Sequence, residues 1–366
     1  MSEHDAVRMD PIDEAIKAIA DGCAVIVVDD EGRENEGDLI FAAEKATADL
    51  TAFMIRYTSG YICVGMTGDD LDRLHLPPMT MVNEDRKGTA YAVTVDSRDV
   101  ITTGISASDR AITIRTLGNA ETQATDLTRP GHVMPLRAVP GGVLQRPGHT
   151  EAAVDLSTLA GLHPSGALCE MVNDDGTMMD AEQCRAFADA HGLLLVSIAD
   201  LIRHRGRNEQ LIEQVAKTPL PTEYGEFTII GYRSLVDGSE HAALVMGDIG
   251  DGRDILVRVH VECVAGDALH STACRCGARL RESMARIAAE GRGVVLYLRQ
   301  PEGAQESLIV GYTSTSGTGD PLDYGLGSQI LANLGVTSMR LLTGSPDRRY
   351  AIDGFGLEIV DAIELA

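Results

Sequence analysis

The chain has no tryptophan, and aromatic residues make up only 4% of its 366 positions. Its cores must therefore rest on Val, Ile, Leu, Met and Ala, which the 44% hydrophobic content allows. Positive charge is scarce as well: 31 Lys and Arg stand against 55 Asp and Glu, a formal net charge of -24. That balance argues against binding nucleic acid or an anionic membrane, whose phosphates would be repelled. It leaves room for a small phosphorylated ligand held by a local cluster of Arg, His, backbone N–H groups or metal. Cysteines number seven, sparse and odd, which disfavours a disulfide framework. No apolar run reaches membrane-spanning length, and the opening MSEHDAVRMD is acidic and lacks the apolar core of a secretory signal. These absences read as a soluble, cytoplasmic protein with reduced thiols.

At this length two domains are the natural expectation. DPIDEAIKAIADG reads as a helix capped by Asp10, with Pro11 in its first turn and Gly22 at its end. CAVIVVDD follows as a buried strand. DLTAFMIRYTS and AITIRTL are helical, GYICVGM and YAVTVD strand-like, and LLLVSIADLIRHR predicts a strand then a helix. A polar, helix-like RGRNEQLIEQVAKT leads to PLPTEYGEF, whose prolines mark a boundary. Beyond it, FTIIGYRS, HAALVMGD, DILVRVHVE and GVVLYLRQ are strand candidates, and ARLRESMARIAAEG and LGSQILANLG helical ones. The expectation is α/β (α+β) in both domains: residues 1–207, a linker over 208–221, and 222–366.

The stretch DDEGRENEGD (29–38) carries six acidic residues in ten, with Arg33 its only cation. It reads either as a solvated turn or as carboxylates gathered around a cation, since like charges this dense raise one another's pKa. Two further stretches bear on the choice. TRPGHVMP and QRPGHTEA repeat an Arg-Pro-Gly-His element at 129–132 and 146–149. One copy could be a structural turn. Two beside an acidic cluster point to phosphate or metal: Arg offers a forked donor, Gly a close backbone approach, and His a ligand or proton carrier. TTGISASDR (102–110) adds hydroxyl donors that suit a phosphorylated sugar.

These motifs, with RYTSGYICV and ALCEMV, occur in the same order as in 3,4-dihydroxy-2-butanone 4-phosphate synthase, and the first 205 or so residues closely resemble that family. The resemblance implies a synthase-type α/β domain that converts ribulose 5-phosphate into the four-carbon phosphate and formate, with Mg2+ (or Mn2+). It implies Glu34 and His149 as metal ligands, and His132 and Glu170 as catalytic residues with Asp38 and Cys63. It implies substrate contacts at Arg33, Asp38, Thr102, Thr103, Glu170 and the loop Arg146, Pro147, Gly148, His149 and Thr150. For Cys63, packing is an equal alternative. The chemistry asks for such a set, because enolisation, dehydration, skeletal shift and formate loss need a Lewis acid and separate acid–base groups. The family forms homodimers with sites at the interface.

In the second half, Cys263, Cys274 and Cys276 are spaced by 11 and 2, which fits one Zn2+ with an open fourth position. Buried unpaired cysteines are the alternative, and His260 and His270 are candidate fourth ligands on spacing alone. VRVHVEC, the CxC-G, EGRGVVLYLRQ, GSQILANLGV and MRLLTGSPDRR resemble GTP cyclohydrolase II over about 221–360. That implies the three cysteines as zinc ligands and nucleotide contacts at Arg258, Glu262 and Thr343. The departures are specific. Ala304 stands where the family has Arg, Leu322 replaces the Arg counted as nucleophile, Arg279 replaces Gln, LLTGSP replaces LLTNNP, and Arg348 replaces Lys. The segment before GDPLDYG is also short. The expectation is a zinc-bearing but non-catalytic second domain, structural or regulatory. The alternatives are a truly bifunctional enzyme that also hydrolyses GTP, and a second half that serves only as a binding or scaffolding module.

Overall fold

VIVV and GDLIFA are buried at every position, as expected of strands covered on both faces. In the computed structural model, which describes residues 7–30, 33–99, 101–299, 321–344 and 357–365, they are central strands of the first of two sheets. The chain divides into two units, Met1–His204 and Arg205–Ala366. No helix among the described residues is long and apolar enough to cross a membrane.

The first sheet contains β1 (Val25–Val28), β2 (Gly37–Ala42), β3 (Cys63–Met66), β4 (Val95–Ser97), β5 (Leu127–Arg137), β6 (Ser165–Glu170) and β7 (Leu194–Ser197), in the order β4-β5-β3-β6-β2-β1-β7. β3–β5 and β1–β7 are parallel and the other pairs antiparallel. Around it run α1 (Ile12–Ala20), α2 (Ala48–Tyr57), α3 (Gly68–Arg73), α4 (Ala107–Leu117), α5 (His149–Leu159), α6 (Ala181–His191) and α7 (Ile198–Asn208). Ile26, Val28, Leu39, Phe41, Val64, Met66, Ala167 and Cys169 form one face and pack with Met54, Ile114, Leu117 and Ala188. By the two-residue period, Val27, Asp38, Cys63 and Glu170 belong to the opposite face. That face receives α5, and it can do so because Gly65 and Gly166 are cross-strand partners. A Cβ at either would lie 2.7 Å from a backbone oxygen of α5, Thr150 O and Ala153 O respectively.

The second sheet contains β8 (Ile212–Thr222), β9 (Gly225–Ser234), β10 (Glu240–Met246), β11 (Ile255–Val261), β12 (Gly293–Leu298), β13 (Ser338–Thr343) and β14 (Glu358–Glu364), ordered β14-β13-β11-β12-β10-β9-β8. An antiparallel meander, β8 to β10, joins a parallel part, β11 to β14. Its helices are α8 (Val264–Asp267), α9 (Cys276–Glu290) and α10 (Pro321–Asn333). Phe227, Leu256, Ile287, Val295 and Leu342 are among its core. The expected α/β character of both domains is therefore observed.

Three local expectations are corrected. The segment read as helix-like and then as a linker over 208–221 is mostly β8, paired to β9 along its whole length. It is an edge strand, so its charges and two prolines face solvent without breaking a second ladder. Asp10 does not cap α1: its carboxylate accepts from Leu195 N at 2.8 Å and Arg185 at 2.7 Å, and Pro11 takes the cap position. YAVTVD is strand only from Val95, while Tyr91 and Ala92 make isolated bridges.

Gly65→Ala or Gly166→Ala should each destabilise the protein by about 1–3 kcal/mol, because the added methyl meets helix backbone that cannot rotate away. Urea unfolding of the full chain measures this; wild-type midpoints in both variants would contradict it.

Candidate active site and metal centres

The acidic run is the connection between β1 and β2, closed by the Val28–Gly37 pair. Asp29, with its side chain almost wholly buried, organises it. Its Oδ2 accepts from Arg33 Nη1 at 2.9 Å and Glu34 N at 3.1 Å, and its Oδ1 from Glu36 N at 2.9 Å. Arg33 Nη1 also bonds Glu34 Oε2 at 2.6 Å. Asn35 sits at φ 56°, a left-handed position that Asn tolerates.

His149 opens α5 on the sheet face that carries Asp38 and Glu170, themselves cross-strand partners. Its Nε2 lies 3.1 Å from Val27 O. A carbonyl only accepts, so Nε2 carries the hydrogen and Nδ1 presents a lone pair. That Nδ1 is 3.6 Å from Asp38 Oδ1 and 4.0 Å from Glu34 Oε2. Burial lowers the His149 pKa, and Asp38 Oδ1 is buried without a hydrogen-bond partner. Burial, then Glu170 and Glu36, hold the Asp38 carboxyl well above the usual range. Crowded carboxylates and an imidazole lone pair thus converge around an unpartnered Asp38 oxygen, a donor set that suits a hard divalent cation. Ligand atoms of Asp29, Glu34 and His149 all lie within 4.8 Å of one another.

The same helix start favours an anion. α5 begins at Gly148 with no side-chain cap, leaving N–H groups and the helix dipole for a ligand. A Cβ at Gly148 would fall 3.1 Å from Arg33 Nη2 and closer still to Arg146 Nη1, so both guanidinium groups flank this glycine. Arg146 is braced by Glu151 Oε2 at 2.6 Å and by Lys87 O at 3.1 Å. Pro147 is exposed, and Thr150 is buried against β3. On β6, Glu170 Oε2 accepts from Ser59 Oγ at 2.6 Å. Burial, then Glu170, push the Cys63 thiol well up, so Cys63 is protonated and packs as a neutral group.

His132 stands in a second group. The first RPGH interrupts β5: Val133 faces Val95 and Thr128 faces Asp96, so Arg129 to His132 bulge out of the ladder, and Gly131 is required because a Cβ there would run into the Val95 backbone. Asp96 Oδ1 accepts from His132 N at 2.9 Å, and Asp96 Oδ2 lies 2.7 Å from His132 Nδ1. Thr102 and Thr103 are exposed in the adjoining loop, where Thr102 Oγ1 donates to Asp109 Oδ2 at 2.7 Å. Among the described residues, no hydrogen bond or ion pair runs from His132, Asp96 or Thr102 to Glu34, Asp38, His149 or Glu170. Asp29, Ser59 and Asp96 received no role from the sequence; the signal for Asp96 was an acid ending the apolar alternation of YAVTVD.

In the second unit, Cys263 and Cys274 sulfurs are 3.7 Å apart, and all three cysteine sulfurs lie within 4.8 Å of one another. Thiolates about 2.3 Å from a tetrahedral Zn2+ stand roughly 3.8 Å apart, so the trio fits the ion. Burial and the neighbouring Cys263 push the Cys276 thiol up to about 12, so thiolates here require a cation. His260 does not join them: its Nε2 is 2.9 Å from Asp267 Oδ2, which also accepts from Cys263 N and Tyr297 OH at 2.9 Å. His270 is exposed, with Nδ1 3.1 Å from Arg281. Arg258 Nη1 donates to Leu342 O at 3.0 Å, Glu262 lies 3.9 Å from Arg299, and Thr343 is buried. Ala304 and Arg348, and the side chain of Leu322, lie outside the described residues.

The geometry defines a two-unit α/β protein with a carboxylate–histidine cluster beside two arginines in one unit and a three-thiol cluster in the other. The family model for 3,4-dihydroxy-2-butanone 4-phosphate synthase matches residues 13–204, and that for GTP cyclohydrolase II matches 213–364. The chain belongs to the 3,4-dihydroxy-2-butanone 4-phosphate synthase family, in the form fused to a GTP cyclohydrolase II domain. "Riboflavin biosynthesis protein RibBA" of Nocardia farcinica is 54% identical, covering 98% of this chain and 91% of that protein. Among solved structures, RibBX from A. baumannii, described as a two domain 3,4-dihydroxy-2-butanone 4-phosphate synthase, is 36% identical with TM-score 0.81, covering 98% of this chain and all of that one. A synthase in complex with two magnesium ions is 44% identical with TM-score 0.54, covering 55% of this chain and 98% of its own.

Replacing Glu34 or His149 by Ala should weaken Mn2+ binding by at least about 100-fold, more than loss of an outer-shell partner costs. An electron paramagnetic resonance titration measures it, and unchanged affinity would place the cation elsewhere. Cys274→Ser should lower the zinc content of the purified chain, measured by elemental analysis.

Proposed function

We propose that the first unit converts D-ribulose 5-phosphate into 3,4-dihydroxy-2-butanone 4-phosphate and formate in riboflavin biosynthesis. The observation that carries this is the convergence at the start of α5 of a metal-type cluster and two guanidinium groups flanking an uncapped helix N-terminus. Glu34 and His149 would hold Mg2+, or Mn2+, which when bound supplies Lewis acidity to the substrate's oxygens. Arg33, Arg146 and the first N–H groups of α5, in the loop through Pro147, Gly148 and Thr150, bind the phosphate. Asp38 and Glu170 stand side by side on one sheet face as proton acceptors and donors for the carbon chain. His132 supplies a further acid–base group, and Thr102 and Thr103 contact the substrate.

The active form we propose is a cytoplasmic homodimer formed through this unit, with its sites at the interface. Two observations support it: among the described residues no hydrogen bond or ion pair joins the His132 group to the Glu34 group, and Tyr61, Met81, Val82 and Ile105 are large apolar side chains left exposed. The substrate is a phosphosugar, and neither nucleic acid nor membrane is a partner.

For the second unit we propose zinc at Cys263, Cys274 and Cys276 without GTP ring opening. Leucine at 322 can neither attack nor hold a phosphate. The departures at Arg279 and Gly344 are also fitted to each other: a Cβ at Gly344 would lie 2.7 Å from Arg279 Nε and closer to its Cζ. An Asn at 344 would require the Arg279 guanidinium to move from its present place. The alternative, a bifunctional enzyme in which Arg279, Arg299 or Arg348 substitutes for the missing groups beside nucleotide contacts at Arg258, Glu262 and Thr343, is favoured by the similarity to proteins named RibBA.

Ribulose 5-phosphate with Mg2+ should yield formate, and Glu34→Ala or His149→Ala should abolish it; full activity in either would refute the site. GTP with Zn2+ and Mg2+ should yield neither formate nor a pyrimidine, and turnover at the synthase's own rate would establish the bifunctional reading. Light scattering should give twice the 39.0 kDa chain mass.

A further inference from the structure

We propose that Asp96 is the positioning residue of His132. It fixes the imidazole with the hydrogen on Nδ1 and leaves Nε2 as the atom that takes a proton from the substrate and returns it. This rests on the reading of His132 as an acid–base group.

One carboxylate grips His132 twice, at the backbone N–H (2.9 Å) and at Nδ1 (2.7 Å). A carboxylate only accepts, so Nδ1 is the donor and the neutral ring keeps its lone pair on Nε2. The two partners are exposed unequally: the Asp96 side chain is 9% accessible, the His132 ring 41%. The anion is buried and the imidazole is presented. A β-bulge between Val95 and Asp96 breaks the β4–β5 register here, the device by which a strand re-aims a side chain. Two glycines keep the pair clear of other side chains. A Cβ at Gly104, φ 90°, would lie 2.6 Å from His132 Nδ1 and nearer to Asp96 Oδ2, and a Cβ at Gly131 would meet the Val95–Asp96 backbone. When Nε2 accepts a proton, the imidazolium is neutralised by the Asp96 carboxylate. When the proton leaves, the pair returns to its starting state, so no co-reactant is needed.

The test uses the full chain with Mg2+, ribulose 5-phosphate turnover, and histidine side-chain 15N spectra taken above the ordinary imidazole pKa of about 6.5. Wild type should show His132 as the Nδ1–H tautomer. Asp96→Asn should lower kcat by roughly 10²–10⁴-fold with KM little changed, and mix the tautomers. Asp96→Glu should recover part of the loss. His132→Gln should lower kcat at least as far. Wild-type kcat in His132→Gln would remove the acid–base reading, and this proposal with it. Loss of turnover in His132→Gln with wild-type kcat and tautomer in Asp96→Asn would overturn the role of Asp96 alone. Should Asp96→Asn fail to fold, the wild-type spectrum still decides, because an Nε2–H tautomer there overturns the proposal.

Discussion

The close seat of α5 on the sheet is the constraint on which the first unit depends. Gly65 and Gly166 face each other across β3 and β6, and the helix backbone rests where their side chains would be. Nine of the residues in α5 are buried, including polar ones, and several of the buried polar groups tie down something else. Glu151 accepts from Val139 N and Arg146, Asp155 accepts from Val143 N, and Ser157 donates to Ser165 O. The loop carrying the second RPGH is thus shaped from beneath by its own following helix. His149 is delivered to the carboxylates by the same packing.

That packing confines groups that repel one another. Asp38, Glu34, Glu170 and Asp29 are held close enough for burial and mutual repulsion to raise the Asp38 pKa, while His149 offers a lone pair instead of a proton. The thiol trio of the second unit repeats the pattern with softer ligands: Gly266 and Gly277 let the chain close tightly, and a Cβ at Gly266 would lie 2.8 Å from Cys274 Sγ. In both places tight backbone packing holds a cluster that is unfavourable without a cation. A cation bound at either cluster would therefore stabilise the fold around it.

Features built from neighbours in sequence were legible beforehand. The carboxylates of the β1–β2 connection lie within one ten-residue run, and CAVIVVDD and DLTAFMIRYTS carry their own strand and helix periods. Features decided by distant partners were not. Gly131 reads as a turn residue, yet it is needed because β4 passes against it. Asp96 acquires its meaning from a histidine 36 positions away. His260 has the spacing of a zinc ligand, but its Nε2 is held by Asp267 and the ring is not among the ligand atoms gathered with the three sulfurs. β8 resembled a polar helix because an edge strand exposes its charges as a solvated helix does. Pattern alone does not separate the two until pairing with β9 is seen.

In the second unit the three-thiol cluster is built by contacts distinct from the positions where the sequence departs from the cyclohydrolase pattern. Its thiols join the end of β11 to the start of α9, and Asp267 binds His260, Cys263 and Tyr297 beneath them. None of those contacts involves the positions where the sequence departs from the cyclohydrolase pattern. Those positions are Ala304, Leu322, Gly344 and Arg348, together with Arg279 one turn into α9. Arg279 and Gly344 have moreover changed in complementary directions, the larger side chain filling the volume that a glycine leaves. A side chain whose role is to meet a ligand can change without touching this cluster, whereas loss of a cysteine would leave two half-buried thiols short of a ligand set. Three cysteines in place beside an altered nucleotide end are what the proposed reading, a structural zinc without GTP ring opening, predicts.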